Sequence, residues 1–276
     1  MMDTISLSML TALYSPLDRE YSQEMSGPYG DMTHSSDNGE IVAGLKDGKV
    51  TGFWRPMVCV GTDDFQKLQF GWLDECIDVL YMDFLIGDLS PISRFLLSKG
   101  YKARPYYTQI IDLTKTEKEL KYDLRKSYKS LVNKDVYIND MHETKPYQRL
   151  HESLRGVTRS QETWDIQNRM IWGNQAFCLT QTRFKDIRNP SVPNTITEAG
   201  LIVYYNEHSA YYASGAGVDS HTLMWHAILK AKGLGCKRFE MGEQVFGDSK
   251  EANISKFKHG FGGTCQVRLI IEREEG

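Results

Sequence analysis

Cysteine is scarce in this sequence, and its few occurrences follow no recognisable pattern. The 276 residues contain five cysteines and no Cys-x-x-Cys pair; the cysteines are Cys59, Cys76, Cys178, Cys236 and Cys265. Odd, scattered thiols argue against a disulfide framework and against a zinc site, and they are typical of a protein in a reducing compartment. We therefore expect a cytoplasmic protein that holds no structural metal.

An excess of one charge sign and a long apolar run are missing too. Lys and Arg number 33 against 36 Asp and Glu, a formal net charge of −3 at pH 7. This balance argues against a protein that coats nucleic acid, so any contact with a polyanion has to come from a local patch. No apolar run reaches the length of a membrane span, and residues 1–16 lack the basic start of a signal peptide.

Two familiar kinds of catalytic pattern are also absent. The sequence has no Gly-x-Ser-x-Gly motif, and no cysteine lies in an obvious His-paired motif. His221 and His226 are five residues apart, an offset that does not place both on one helical face, so a metal-binding pair is not expected. These absences point away from covalent and metal-dependent hydrolysis.

The sequence does contain a pattern that occurs twice. Each copy comprises a hairpin, a helix that ends at glycine, and a strand directly after it. The first copy covers residues 41–60, 90–100 and 106–113, and the second covers residues 201–214, 222–235 and 239–242. In the first hairpin Asp47-Gly48 suits a type I′ turn, and in the first helix Ser90 and Pro91 form the start. A repeat of this size predicts two similar α/β domains.

Between the two copies lies a segment rich in cations. Thr116 and Glu119 form a capping-box pattern that starts a helix, predicted to run on through residues 120–131. Its cations are Lys121, Arg125, Lys126, Lys129 and Lys134. Two interpretations remain open: a solvated basic face, or a helix that contacts phosphates, which Tyr122 and Tyr128 among the cations favour.

The last forty residues carry the clearest combination of motifs. A short apolar run that ends at Gly242 predicts a buried strand, which would bring the carboxylate of Glu240 to its end. Residues 251–259 predict a helix with one apolar and one cationic side, stopped by the glycines that follow. From Cys265 the residues alternate, with Cys265, Val267, Leu269 and Ile271 predicted on one face of a closing strand.

This C-terminal segment resembles a known family. Phe257-Lys258, followed by Phe261-Gly262-Gly263, resembles the Phe-Lys…Phe-Gly signature of Fem-type (FemAB-like) aminoacyltransferases, the peptidoglycan-bridge enzymes of the GNAT acyltransferase superfamily. Residues 111–127 and 211–242 resemble the family's entry into its second domain and its sheet–helix–strand core. The similarity covers about residues 105–270. The chain is shorter than the bridge-forming enzymes and has no heptad-bearing helical arm.

The resemblance implies a fold class and a division of the chain. The fold class is α/β, with tandem GNAT-like domains, each a mixed, mostly antiparallel sheet flanked by helices. Residues 1–110 would form a degenerate N-terminal half. Residues 111–276 would form the C-terminal half, which carries the donor site.

The resemblance also implies a reaction. Family members transfer an activated acyl group, usually an aminoacyl ester on transfer RNA, to an amine. We therefore expect an N-acyltransferase that uses aminoacyl-tRNA or acyl-CoA as co-substrate, holds no permanent cofactor, and acts on an amine such as an amino sugar or peptide precursor. Phe257 and Lys258 would lie at the donor's reactive end, and the Lys258 ammonium would stabilise the developing oxyanion. Glu240 would accept a proton from the amine.

The remaining site predictions concern binding. Donor or phosphate contacts are predicted for Arg125, Lys129, Ser214, Gly215 and Gly217, and acceptor contacts for Tyr212, Trp164 and Arg169. The loop at residues 214–219 has glycines but lacks the cation of the CoA-binding loop in GNAT enzymes and contains Asp219, which weakens the acyl-CoA alternative. Simpler roles stay open: Lys258 as a surface lysine beside a core phenylalanine, and the whole protein as a non-catalytic binder of RNA or another phosphorylated partner.

Overall fold

The computed structural model describes two compact units. The described residues are 34–36, 39–41, 44–46, 49–51, 60–61, 79–83, 89–184, 195–206 and 209–273. One unit draws on Met1–Thr108 and Gln266–Gly276, and the other is Gln109–Cys265. The predicted division into residues 1–110 and 111–276 stays a prediction about domains; among the compact units, the last residues of the chain group with the first.

Among its described residues, the first unit contains strands and one capped helix. Its strands are β1 (His34–Ser36), β2 (Gly39–Ile41), β3 (Gly44–Lys46), β4 (Lys49–Thr51), β5 (Val60–Gly61), β6 (Val79–Met82) and the unit's portions of β7 (Lys102–Asp112) and β13 (Thr264–Glu272). One sheet has the order β1-β2-β5, and β3, β4, β6, β13 and β7 are neighbours in that order. Strands β3 and β4 pair antiparallel, as the hairpin prediction requires, whereas the turn residues 47–48 lie outside the described residues.

The described helix of the first unit follows the sequence signals. Helix α1 (Pro91–Ser98) begins after Ser90, whose hydroxyl accepts a hydrogen bond from the backbone N–H of Ser93. The carboxylate of buried Asp83 accepts further bonds from the Ser90 backbone N–H and from the Ser93 hydroxyl. The predicted cap and proline start are therefore confirmed, and the cap is itself fixed by a buried acid.

The second unit is built on a mixed sheet. Its further strands are β8 (Tyr137–Met141), β9 (Ala176–Phe184), β10 (Thr195–Tyr205), β11 (Ser209–Gly217) and β12 (Arg238–Glu243). The order is β7-β12-β11-β10-β9-β8, with β8, β9, β10 and β11 paired antiparallel and β11 parallel to β12. Its helices are α2 (Glu117–Asp123), α3 (Tyr128–Leu131), α4 (Lys145–Arg155), α5 (Gln161–Trp172), α6 (His221–Gly233) and α7 (Lys250–His259).

Helices cover both faces of this sheet. Helix α6 buries an apolar stripe, including Leu223 and Ile228, in the same core cluster as Leu201 and Phe239 of the strands. Successive strand residues point to opposite faces, so Tyr204 faces the other way from Val203. On that side Gln167 of α5 donates a hydrogen bond to the Tyr204 hydroxyl at 2.9 Å. The sheet is thus buried from two sides, as an α/β layer arrangement requires.

The cationic segment is not one helix, contrary to the prediction. The capping box of Thr116 and Glu119 is present, but Leu124 takes an extended conformation (φ −58°, ψ 139°) and ends α2. The Arg125 backbone N–H then donates to the carbonyl of Gly260 at 2.9 Å, a tertiary bond that a continued helix would not allow. The predicted basic face is therefore split between α2, the link and α3.

Burial along β13 does not separate its two predicted faces. Arg268 and Ile270 are buried, whereas Val267 is 40% exposed. Ile271 is buried as well, so both faces of the strand are covered towards its C-terminal end. An alternating pattern separates buried from exposed residues only when one face of the strand is exposed to solvent, and both faces of β13 are covered at this end.

Candidate functional site

The parallel pairing of β11 with β12 stops after three residue pairs. Residues 209–211 pair with residues 238–240, and the ladder ends at Tyr211 opposite Glu240. On its other side β11 has a bulge, because Val203 pairs with Tyr212 and Ile202 with Ser214. A bulge bends its strand away from regular pairing. We call the space between the later residues of β11 and the end of β12, beyond the last paired residues, the gap.

Lys258 lies at the β12 side of this gap. Its ammonium donates a hydrogen bond to the Glu243 backbone carbonyl at 3.1 Å. A Cβ added to Gly242 would stand 3.6 Å from the Lys258 Nζ and 3.5 Å from the Tyr211 hydroxyl, so both polar groups lie against the same glycine. Burial lowers the pKa of Lys258 to about 8, and the negative charges of Glu243 and Glu240 act in the opposite direction.

Glu240 lies close to this lysine. Its side chain is 8% exposed on β12, beside Tyr211 in the ladder, and its charge acts on the pKa of Lys258. The structure therefore brings together an ammonium, a carboxylate and a phenol where two strands separate. Such a set can stabilise a developing oxyanion and accept a proton.

An aromatic cluster holds the end of α7 in place. Phe257 lies 5.1 Å from His221 and 5.2 Å from Phe261, measured between ring centroids, and Tyr128 lies 4.4 Å from His221. The Tyr128 ring also lies directly on Gly260, where any Cβ would be 2.2 Å from a ring carbon. Only glycine permits this approach, so the cluster fixes where α7 ends and hence where Lys258 stands.

Arg125 and Lys129, which were predicted to contact phosphates, make contacts with other protein groups in the structure. The Arg125 guanidinium donates to the Lys256 carbonyl at 3.0 Å and stacks on Tyr128, 5.2 Å from the ring centroid, which satisfies the open end of α7. Lys129 lies over the ring of Tyr122 at 5.0 Å. Arg125 is thus positioned on the helix that carries Lys258, and Lys129 belongs to the surface of α2 and α3.

The predicted loop at residues 214–219 is mostly strand, because residues 214–217 belong to β11. Its residues are hydrogen-bonded on the side of α4 and α5. The Ser214 hydroxyl lies 2.5 Å from the Tyr147 hydroxyl and accepts a hydrogen bond from Arg159 at 2.7 Å. The Gly215 carbonyl accepts a longer bond from Arg155 at 3.5 Å, and the hydroxyl of Tyr212 lies against the Gly215 backbone. Burial raises the pKa of Tyr212, so its phenol stays protonated near neutral pH.

A carboxylate that is paired with two cations lies at the start of α6. Gly217 has a φ of 110° and passes close to the Glu198 carbonyl, which turns the chain towards the helix. Asp219 follows, with its carboxylate 3.1 Å from the Lys134 ammonium and 3.8 Å from the Arg183 guanidinium. The position where a GNAT enzyme's helix start would receive a pyrophosphate is thus next to a carboxylate.

The two predicted acceptor contacts on α5 differ in burial. Trp164 is 1% exposed and packs edge-on against Tyr147 and His151, at centroid distances of 5.9 and 5.6 Å. Arg169 is exposed near the end of the same helix. Trp164 is therefore a buried member of an aromatic group, whereas Arg169 reaches solvent.

Sequence reasoning missed three residues that the structure places at or near the gap. Tyr211 lies in a tyrosine-rich run typical of a strand, and Tyr147 and Arg159 lie in segments with no recognised motif. Only the helix start at Ser160, directly after Arg159, could have been recognised from the sequence, and it carries no information about the arginine. In the part of the chain described, no group of three or more His, Cys, Asp or Glu side chains could hold a metal ion. Of the helices described, none has the length and apolar character needed to cross a membrane.

Similarity to known proteins is found among solved structures, and it identifies the fold. No family model matches the sequence, and no curated protein does either. Among solved structures, FemX matches with a TM-score of 0.69 and 10% identity, over 95% of this chain and 94% of that chain. The chain has the Fem-type GNAT fold.

Two further structures agree with this Fem-type fold. L-PGS from Bacillus licheniformis matches with a TM-score of 0.56 and 11% identity, over 95% of this chain and 93% of that one. A tandem GNAT protein from the clavulanic acid biosynthesis pathway matches with a TM-score of 0.51 and 8% identity, over 99% and 94%. The predicted fold class, α/β with tandem GNAT-like domains, is confirmed. Within the Fem-type fold, Phe257-Lys258 ends α7 beside the gap between β11 and β12.

Proposed function

We propose that this protein is an N-acyltransferase that moves an acyl or aminoacyl group from an activated donor to an amine. The observation that carries the proposal is the place of Lys258. Its half-buried ammonium lies at the end of β12, against the same glycine as the Tyr211 hydroxyl and close to Glu240. A cation held in such a setting is more effective towards a developing negative charge than one in water.

The reaction is a direct transfer. The nitrogen of the acceptor amine bonds to the carbonyl carbon of the donor, and the carbonyl oxygen gains negative charge that Lys258 stabilises. The bond to the leaving oxygen or sulfur then breaks, and the carbonyl forms again. Glu240 takes the proton that the amine nitrogen loses, and the leaving group takes one from Lys258 or from water. Both substrates have to bind together, so no acylated enzyme forms.

The start of α6 favours an aminoacyl ester over acyl-CoA as donor. A pyrophosphate at this helix start would meet the carboxylate of Asp219, whose neighbouring cations Lys134 and Arg183 are already paired with it. Like charges at a helix N-terminus oppose the attraction that the backbone N–H groups supply. The proposed donor is therefore an aminoacyl-tRNA, with acyl-CoA as the alternative to be tested beside it.

The test is a transfer assay with matched lysine variants. Purified protein is given mixed aminoacyl-tRNA or, separately, acetyl-CoA, together with a panel of amines, and the acylated amine is measured by mass spectrometry. Lys258→Ala should lower turnover by about 100-fold or more, the range seen when one oxyanion donor is removed. Lys256→Ala is the control, because Lys256 lies on the same helix but pairs with Asp248 at 3.4 Å. Equal rates for wild type and Lys258→Ala would show that Lys258 does not stabilise the developing oxyanion.

A second candidate function rests on the surface of α2 and α3. A shallow cavity of about 780 Å³ there is lined by Lys115, Thr116, Lys118, Glu119, Lys121, Tyr122, Asp123 and Lys129. Tyr122 is 79% exposed, an unusual setting for an aromatic ring and one that suits stacking on a base. This surface supports a non-catalytic protein that holds RNA or another phosphorylated partner.

Salt dependence separates the two candidates. Binding of single-stranded RNA through this surface should weaken with added salt, with a slope of about 0.7 per phosphate contacted. If the protein binds RNA in this way and transfers no acyl group from either donor, the binding function replaces the enzymatic one. If acyl transfer is observed and depends on Lys258, the enzymatic function is supported over the binding function.

A further inference from the structure

Three buried nitrogen atoms around Trp164 have no hydrogen-bond partner among the described residues. They are Nε1 of Trp164, Nη1 of Arg159 and Nδ1 of His151. Trp164 is 1% exposed and His151 is 4% exposed. Buried polar atoms without a partner lose their hydration and gain nothing in return, and native structures contain few of them. Several in one place indicate a site that a ligand group completes.

The contacts of Arg159 place these atoms in one cluster. Its guanidinium lies 4.8 Å from the Trp164 ring centroid and donates through Nη2 to the Ser214 hydroxyl at 2.7 Å. His151 packs 5.6 Å from the same tryptophan ring. Nη2 of Arg159 is therefore fixed to β11, while Nη1 of the same guanidinium, which lies over the Trp164 ring, is buried without a described partner.

The cluster carries positive charge. Burial, and then the charges of Arg159 and Arg155, lower the pKa of His151, while the charge of Glu152 acts the other way. The Glu152 carboxylate is engaged with Gln148 at 2.9 Å. Two guanidinium groups face one carboxylate, so an anion entering the cluster gains a net attraction.

We infer that Arg159, Trp164 and Tyr147 form a pocket on the α4 and α5 side of β11 that binds the carboxylate of the amine acceptor. The inference rests on the proposed acyl transfer and narrows its acceptor to an amino acid or a short peptide with a free carboxylate. A carboxylate is planar and small. Its two oxygens match the two donors that the cluster offers, Nη1 of Arg159 and the indole N–H of Trp164. A phosphate presents more oxygens than these donors can satisfy.

The distance along β11 fits an acceptor of this size. Ser214 is three residues beyond Tyr211, which corresponds to roughly 10 Å along a regular strand and to less across the bulge of β11. A short peptide in extended form spans about that length. An acceptor whose carboxylate lies at Arg159 would thus bring its amine to the end of the strand pairing, where Lys258 and Tyr211 lie.

The test is direct binding, with acid and amide forms of one peptide. Alanyl-alanine and alanyl-alaninamide are added separately to wild-type protein at millimolar concentrations, and binding is followed by ligand-observed NMR. The acid should bind about tenfold or more tightly than the amide, the effect expected for a charge-assisted pair. Arg159→Gln should reduce the affinity for the acid to that for the amide, and Arg159→Lys should keep part of the preference. Arg149→Gln, an exposed arginine of α4, is the matched control.

Each outcome decides the inference. Equal binding of acid and amide, no binding of the acid, or an unchanged preference in Arg159→Gln overturns it, and so does displacement of the acid by lower concentrations of inorganic phosphate. Thermal unfolding of each variant shows whether the fold is kept; if Arg159→Gln unfolds, Arg159→Lys supplies the comparison. Binding is measured without an acyl donor. A negative binding result therefore contradicts the carboxylate pocket and leaves acyl transfer through Lys258 untouched, whereas a negative transfer assay contradicts the acyl transfer alone.

Discussion

The ammonium of Lys258 donates to the backbone carbonyl of Glu243 at 3.1 Å, and this bond joins the last turn of α7 to the end of β12. The lysine is half-buried there, and burial lowers its pKa to about 8 although two carboxylates oppose the change. A group kept charged in a place that disfavours charge lowers the stability of the fold. Such positions are common where a protein performs chemistry.

Lys258→Met should therefore stabilise the protein at neutral pH while it removes acyl transfer. The folded pKa of about 8 lies below the ordinary value of 10.5, so the unfolded chain binds more protons between these values, and the free energy of unfolding of the wild type rises with pH in that window. The gain in Tm from the methionine should be fully present below pH 8 and shrink towards the ordinary lysine pKa. Thermal unfolding at neutral and at alkaline pH measures it. A variant that is less stable than wild type at pH 7 would contradict this account.

The rate of transfer should depend on the protonation of the same lysine. As pH rises through about 8, Lys258 loses its charge and kcat/KM should fall, although the acceptor amine becomes more nucleophilic. Lys258→Arg keeps the charge over this range, so any activity that it retains should lack the falling limb. A pH profile of kcat/KM for both proteins is the measurement, and an identical falling limb in Lys258→Arg would assign it to another group.

Gly242→Ala should lose both stability and activity, whereas Gly247→Ala should lose only stability. Both glycines have positive φ, 77° and 108°, where an alanine is strained by about 1 kcal/mol or more. The added methyl at Gly242 would lie in contact with Lys258 and Tyr211, while at Gly247 it meets no atom within 4 Å. Urea unfolding and the transfer assay on both variants separate the two effects. Equal activity in the two would show that the surroundings of Gly242 play no part in the reaction.

Arg125→Gln should destabilise the end of α7 and lower kcat. The side chain holds the Lys256 carbonyl and stacks on Tyr128, so its loss frees the helix end that positions Lys258. The expected loss is about 1 to 2 kcal/mol in the free energy of unfolding. Lys126→Gln, an exposed neighbour, is the control. If stability is unchanged and only the KM for the donor rises, Arg125 binds donor phosphates, as the sequence alone suggested.

Elements with a strong local pattern could be predicted from the sequence. The Ser90 cap of α1, the Thr116 capping box and the apolar stripe of α6 all follow from residues within a few positions of one another. Strand β8 and helix α4 were not predicted, because the hydrophobic patterns of their sequences are weak. Strand β8 is largely exposed, and the buried residues of α4 are Tyr147 and His151 rather than aliphatic side chains.

The sequence by itself thus determined the capped helix starts, the apolar stripe of α6, the Fem-type signature at Phe257-Lys258 and the glycines that allow close approach. Only the tertiary structure decided where those groups meet. The break at Leu124, the bond from Lys258 to Glu243 and the approach of Arg159 to Trp164 and Ser214 depend on contacts that local patterns do not encode. The physical reason is that periodicity reports which face of an element is buried, whereas the partner of a polar side chain is set by packing between elements distant in the chain.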